Sequence, residues 1–154
     1  MAVELNLGKI KKTDAELKAD VQDIVGEMGG AGGGEINVLW ENPNPNLAYA
    51  SVLVTLNDSL EKYKFISFVT VVDKTYKQLT SSGWVPIDLS LDAFWVEVNS
   101  FKYGAGVVVR TLMKTNAQQP DKIQINQCAK FSSFTGASQT TNDYLIPYMI
   151  LGYK

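Results

Sequence analysis

Histidine is absent from this 154-residue chain, and cysteine occurs once, as Cys128. Without histidine there is no His-dependent triad and no His-ligated metal, and the side chain that most often moves protons near neutral pH is missing. One cysteine cannot close an internal disulfide, nor build a zinc site unaided. Long apolar runs are also lacking: stretches such as Val107 to Val109 are far too short to span a bilayer, so no membrane partner is expected. Basic residues are few and scattered, 14 against 16 acidic for a net charge of −2, and only Lys9, Lys11 and Lys12 cluster. Nucleic-acid binding needs a basic patch or stripe, so it is not expected either. Met1 to Ile10 sets Glu4 and Asn6 among apolar residues and is not a secretory signal, which predicts synthesis in a cytosol. Asn57-Asp58-Ser59 matches a glycosylation acceptor that has no secretory route to serve it.

What is present, 45% apolar residues in a length suited to one domain, is enough for a real core. The chain divides into three parts. Residues 1–28 are polar and charged, with a predicted helix from about Thr13, where Thr13 and Glu16 have capping-box spacing. Leu17, Val21, Ile24 and Met28 are spaced four, three and four apart, as along a coiled-coil seam, and Ile10 extends the stripe backwards past Asp14. About two heptads are too short to be stable alone in water. The stripe therefore packs either on its own domain or against identical chains. Residues 29–34 belong to a stretch, Gly26 to Gly34, in which six of nine residues are glycine. No Gly-Lys-Ser/Thr follows and no strand precedes it, so it reads as a flexible linker and not as a phosphate loop.

Residues 35–154 carry β-type patterning. Val52, Val54 and Leu56 alternate with Leu53 and Thr55, and the Phe65 to Val72 run is apolar on both faces. Further runs are Ile36 to Trp40, Gly83 to Ile87, Ala93 to Val98, Gly106 to Met113, Lys122 to Phe134 and Tyr144 to Leu151. Turn residues punctuate them at Asn42-Pro43-Asn44-Pro45, Asn57-Asp58, Ser81-Ser82-Gly83, Gln119-Pro120-Asp121 and Ser138 to Asn142. About eight strands at this spacing predict an all-β antiparallel sandwich or jelly roll behind a short N-terminal helix.

Leu39-Trp40-Glu41-Asn42-Pro43-Asn44-Pro45, followed by Tyr49-Ala50 and a strand ending at Leu56, resembles the opening of a C-terminal head domain found in bacteriophage tail-fibre, receptor-binding and minor structural virion proteins. Leu60-Glu61-Lys62-Tyr63-Lys64-Phe65 is similar to the phrase that precedes a β run in that family. Asn142, Ile146-Pro147-Tyr148 and Leu151-Gly152-Tyr153-Lys154 are similar to its close. The resemblance covers residues 35–154, is concentrated at the two ends, and departs from the pattern at Tyr49, where the family has Phe. It implies a trimeric head on a virion appendage, without enzymatic activity or cofactor, on a stem that is a trimeric coiled coil.

Candidate chemistry is sparse. Asp88, Asp92 and Glu97 lie close in sequence, but nothing in the pattern sets two carboxyls across a cleft as glycoside hydrolysis requires. Cys128 lies in a strand-like run and is expected to be a small buried hydrophobe. Among the aromatic residues, Trp84 after Ser81-Ser82-Gly83 and Tyr103 before Gly104-Ala105-Gly106 stand beside loops and are the candidate ligand contacts, as rings able to stack on sugars; the alternative is core packing. Gln124, Asn126 and Gln127 mark a polar strand face.

The expected function is that of a phage virion structural protein, made in the bacterial cytoplasm. In this reading it is a short homotrimeric fibre with its seam at Ile10, Leu17, Val21, Ile24 and Met28. Its N-terminus would meet other virion proteins of the tail, baseplate or capsid, and its head would face a host-surface glycan. Two alternatives stand beside it: a capsid-mounted head fibre or decoration protein without a receptor role, and a carbohydrate-acting enzyme on the same scaffold.

Overall fold

The computed structural model describes residue 19 and residues 34–47, 49–73, 78–90, 94–102, 106–114, 118–131 and 138–154. The expected stem, with its seam at Ile10, Leu17, Val21, Ile24 and Met28, lies outside the described residues, as do most of the glycine-rich linker and Tyr103.

Eleven strands are described where the spacing predicted about eight: β1 (Ile36–Glu41), β2 (Val52–Thr55), β3 (Phe65–Asp73), β4 (Leu79–Ser81), β5 (Val85–Pro86), β6 (Trp95–Lys102), β7 (Gly106–Met113), β8 (Lys122–Ile125), β9 (Cys128–Phe131), β10 (Ser138–Thr141) and β11 (Tyr144–Tyr153). A single 3-10 turn, Leu60–Lys62, precedes β3, with the Ser59 hydroxyl accepting from the Glu61 N–H. The excess over eight has a local cause. The run from Lys122 to Phe134 breaks at Asn126-Gln127 into two strands that pair with opposite ends of β7. The Gly83 to Ile87 run keeps only Val85–Pro86 as a strand, on the same edge of β3 as β4.

Among the described residues all pairings are antiparallel and form two sheets. The first runs β1-β11-β3, with β4 and β5 sharing the far edge of β3. The second is built on β7, which pairs β6 along one edge and both β8 and β9 along the other; β2 then adds to β8 and β10 to β9. Side chains from both sheets meet in the main core: Leu39, Ile66, Phe68, Leu145 and Ile150 from the first, and Val54, Val96, Val98, Val108, Leu112, Ile123, Ile125 and Cys128 from the second. The expected all-β antiparallel architecture is thus present in the described residues.

β3 and β11 are buried on both faces, as the unbroken apolar runs require. Val69, Val71, Ile146, Tyr148, Met149 and Leu151 form a second core on the far side of the first sheet, where Ile36, Tyr49, Leu79 and Trp84 pack against it. β11 reaches this second core through a register shift between Pro147 and Met149. Proline has no N–H for the ladder, so it is accommodated at such irregularities. The shift also breaks the strict in–out alternation, so that the adjacent Tyr148 and Met149 both join the second core.

The two ends that carry the resemblance meet at this point. The Asn42 N–H donates to the Tyr148 carbonyl at 2.9 Å, and the Asn42 side-chain amide donates to the Pro147 carbonyl at 2.7 Å. Asn42 Oδ1 in turn accepts from the Asn44 N–H, closing the turn that the Asn-Pro-Asn-Pro sequence announces. At the other end of β11, Gly152 faces Tyr63 and Leu39 so closely that an added Cβ would lie 2.6 Å from the Tyr63 ring. Glycine is needed there for close approach.

A charged residue crosses the main core. Arg110 on β7 is fully buried, and its guanidinium donates to three main-chain carbonyls: Asn126 at 2.9 Å, Tyr49 at 3.0 Å and Tyr144 at 3.3 Å. These belong to the β8–β9 link, the segment before β2 and the start of β11, so one side chain ties both sheets to the intervening loop. Burial pulls the guanidinium down to about 10, opposed by nearby Cys128 and Tyr49.

Candidate functional site

The two sheets differ in what their outer faces show to water. The first buries its outer side chains in the second core; the second, among the described residues, shows exposed apolar side chains. Along β6 the burial alternates, with Val96 and Val98 inward and Trp95, Glu97 and Asn99 outward. Along β7, Val108, Arg110 and Leu112 point inward, leaving Val107, Val109, Thr111 and Met113 on the outer face. β8 turns out Lys122 and Gln124, β9 turns out Ala129 and Phe131, and β2 turns out Leu53 and Thr55.

Strand register assembles these side chains into rows. Trp95 lies opposite Met113, Met113 opposite Gln124, and Gln124 opposite Leu53, one row across four strands. A second row sets Asn99, Val109, Ala129 and Thr140 side by side, and Phe131 lies opposite Val107 in a third. Trp95 is 58% exposed, Leu53 51%, Phe131 43% and Val107 39%. The polar members are tied down locally: the Gln124 amide donates to Ser51 Oγ and to the Ile125 carbonyl, and the Asn126 amide to Thr111 Oγ1.

The structure separates the expected ring contacts. Trp84 is partly buried, with its ring 5.8 Å from that of Tyr153 and packed on the second core. Trp40 is partly buried too, edge-on to Tyr49 at 6.1 Å. The exposed tryptophan is Trp95, which sequence reasoning did not single out. Its signal was available: in Trp95-Val96-Glu97-Val98 and in Val107-Val108-Val109 both alternating phases carry apolar side chains, so an apolar residue had to face outward.

The remaining candidates are accounted for locally. Asp88 accepts from the Ser90 hydroxyl at 2.5 Å and from the Ser90 N–H at 2.9 Å, which holds its carboxyl below the usual range in an exposed turn. Asp92 lies outside the described residues, and Glu97 stands on the outer face of the second sheet. Cys128 is fully buried in the main core, as expected of a small hydrophobe, and burial pushes its thiol up. Gln124 faces outward as expected of a polar face, while Asn126 and Gln127 form the break between β8 and β9. Among the described residues no group of three or more His, Cys, Asp and Glu could hold a metal ion, and no helix is long and apolar enough to cross a membrane. What the described residues offer is the outer face of the second sheet, with Trp95, Leu53, Phe131 and Val107 exposed on it.

No known protein family, curated protein or solved structure matches the chain.

Proposed function

We propose that this chain is a non-enzymatic structural protein of a bacteriophage particle: a short homotrimeric fibre, attached through its N-terminal segment, that presents the β head outward toward a host-surface glycan. The supporting observation is that the two sequence stretches carrying the resemblance form one structural unit, joined by the bonds from Asn42 to Pro147 and Tyr148. Residues 105 positions apart along the chain thus solve a common folding problem, as a shared domain design requires. The broad outer face of the second sheet, with Glu97 and Lys122 among apolar and uncharged polar side chains, suits contact with another macromolecule better than chemistry on a small substrate.

One observation favours a second reading, a capsid-mounted head fibre or decoration protein without a receptor role. Trp84, a candidate sugar-stacking ring, packs on Tyr153 and the second core. Labelling purified particles with an antibody to this chain tests both. Label at the tail or baseplate, with glycan binding by the purified protein, supports the fibre; label over the capsid without glycan binding supports decoration. Absence of the chain from particles, or release of reducing sugars from a glycan, overturns both. Light scattering tests the assembly itself: the trimer has three times the chain mass of 17.0 kDa, and Leu17→Asp weakens it by placing a charge in the stem seam.

A further inference from the structure

β1 carries the chain into the head, and it is the least supported strand of the first sheet. Among the described residues it is an edge strand that pairs only with β11. Its register shifts between Val38 and Trp40, so the first piece of the ladder has three pairs: Ile36 with Tyr153, Asn37 with Gly152 and Val38 with Leu151. A three-residue edge piece frays unless both of its ends are tied down. The far end is tied from the loop before the 3-10 turn. The Asn57 N–H donates to the Leu39 carbonyl at 2.7 Å, and the Asn57 amide donates to the Val38 carbonyl at 3.3 Å.

The near end has its own fastening. The Lys154 N–H donates to the Glu35 carbonyl at 3.1 Å, which continues the ladder one residue beyond β1. The Lys154 ammonium meets Glu35 Oε2 at 2.7 Å and lies 5.8 Å from the centre of the Tyr63 ring. An exposed ion pair adds little by itself. Gly34 adds the decisive contact. It lies so close to Tyr153 that an added Cβ would collide with Cζ, Oη and Cε2 of the ring. The ring has little room to swing aside, because Phe65 flanks it at 6.0 Å and Trp84 at 5.8 Å, and Phe65 is also its register partner on β3. Glycine is needed at position 34 for this close approach, so the expected linker, residues 29–34, ends in a fixed seat.

We propose that Gly34, Glu35, Tyr153 and Lys154 form a clasp that keeps the edge strand β1 on β11 where the N-terminal segment pulls on it. In a fibre, load from the stem enters the head at this point, and a strand held by three ladder pairs would peel without the clasp. The inference goes beyond the fibre reading and does not rest on it, since a monomer carries the same contacts.

Hydrogen exchange of the full chain, read by mass spectrometry, tests the clasp. Gly34→Ala adds one methyl group outside every strand, so the fold is retained. It is expected to speed exchange in residues 36–38 at least about tenfold while residues 106–113 of β7 keep their protection. Lys154→Met removes the exposed ion pair alone and is expected to speed the same exchange by no more than about fivefold. Equal exchange in Gly34→Ala and the natural chain overturns the proposal. So does a rise shared equally by β7, which would be a loss of stability of the whole head, or a larger effect of Lys154→Met than of Gly34→Ala. A second readout is cleavage after Glu35 by a glutamate-specific protease: the natural chain is expected to resist, and Gly34→Ala to be cut at least about tenfold faster. Equal cutting of the two overturns the proposal. The mass of the natural chain by light scattering reports separately on the fibre reading.

Discussion

Replacing Arg110 with methionine is the most direct probe of what unites the two sheets. The guanidinium makes three charge-assisted hydrogen bonds to buried main-chain carbonyls. Bonds to a charged group contribute about 1.5–3 kcal/mol each, or about 4.5–9 kcal/mol for three. Against this stands desolvation. A fall from 12.5 to about 10 corresponds to roughly 3 kcal/mol held against the charged form. The bonds exceed the desolvation, and methionine fills the volume without supplying a donor. Arg110→Met should therefore lower stability by about 2–5 kcal/mol, less than the gross bond energy because the buried charge goes too. Urea unfolding of the full chain, followed by far-ultraviolet circular dichroism, reads this as a lower midpoint at unchanged slope. Arg110→Lys should recover only part of the loss, since a single ammonium cannot reproduce the fork that reaches carbonyls on three segments. An Arg110→Met chain as stable as the natural one, or more stable, would mean that the cation is merely tolerated in the core and that the apolar contacts alone hold the sheets in register.

Three further outcomes are expected. Asn42→Ala removes the amide that satisfies the Pro147 carbonyl and should cost about 1–3 kcal/mol by urea unfolding, whereas an exposed asparagine in the same loop, Asn44, should cost little when replaced. Lys114 is fully buried with its ammonium lacking a hydrogen-bond partner among the described residues, so Lys114→Met should raise stability by about 1–3 kcal/mol; a loss would show that the ammonium has a partner. Three carboxyls contribute to the acid limb: bonding to Lys62 lowers Asp58 from 3.8, bonding to Lys154 lowers Glu35 from 4.5, and bonding to Ser90 lowers Asp88 from 3.8. Their unfolded forms bind protons more readily than the folded ones, so their contribution is present in full above the ordinary values and is lost as pH falls through the lowered ones. The thermal midpoint of Asp58→Asn should accordingly approach that of the natural chain as the pH drops below 3.8; a constant gap between the two would refute the assignment.

The strands were legible where their patterning was dense. Phe65 to Val72, apolar in both phases, became β3 with both faces buried, and Tyr144 to Leu151 became the core of β11. The break at Asn126-Gln127 was harder to foresee, because two polar residues within a strand-like run also suit a solvent face. Arg110 was illegible for a different reason. An arginine amid valines reads as an outward residue, since arginine is rarely fully buried. Only the fold brings carbonyls from positions 49, 126 and 144 within reach of its side chain. Trp84 and Trp95 show the same limit: proximity to a glycine loop marked Trp84 as the freer ring, whereas register and the second core decide that Trp95 is the one left in water.

The placement of Pro147 explains why large apolar side chains gather on the far side of the first sheet. A regular β11 would turn every second residue toward the main core and leave the others in a single outward row. The shift beside Pro147 instead gives Tyr148 and Met149 to the same outer cluster, concentrating large apolar side chains on the far side of the first sheet. That cluster draws in Trp84, Leu79 and Tyr49 from neighbouring segments. No comparable irregularity occurs where β6 pairs with β7; their register runs unbroken from Trp95 opposite Met113 to Lys102 opposite Gly106. Along β6 and β7 the strict in–out alternation is therefore kept, and Trp95 and Val107 stand on the outer face as exposed apolar side chains.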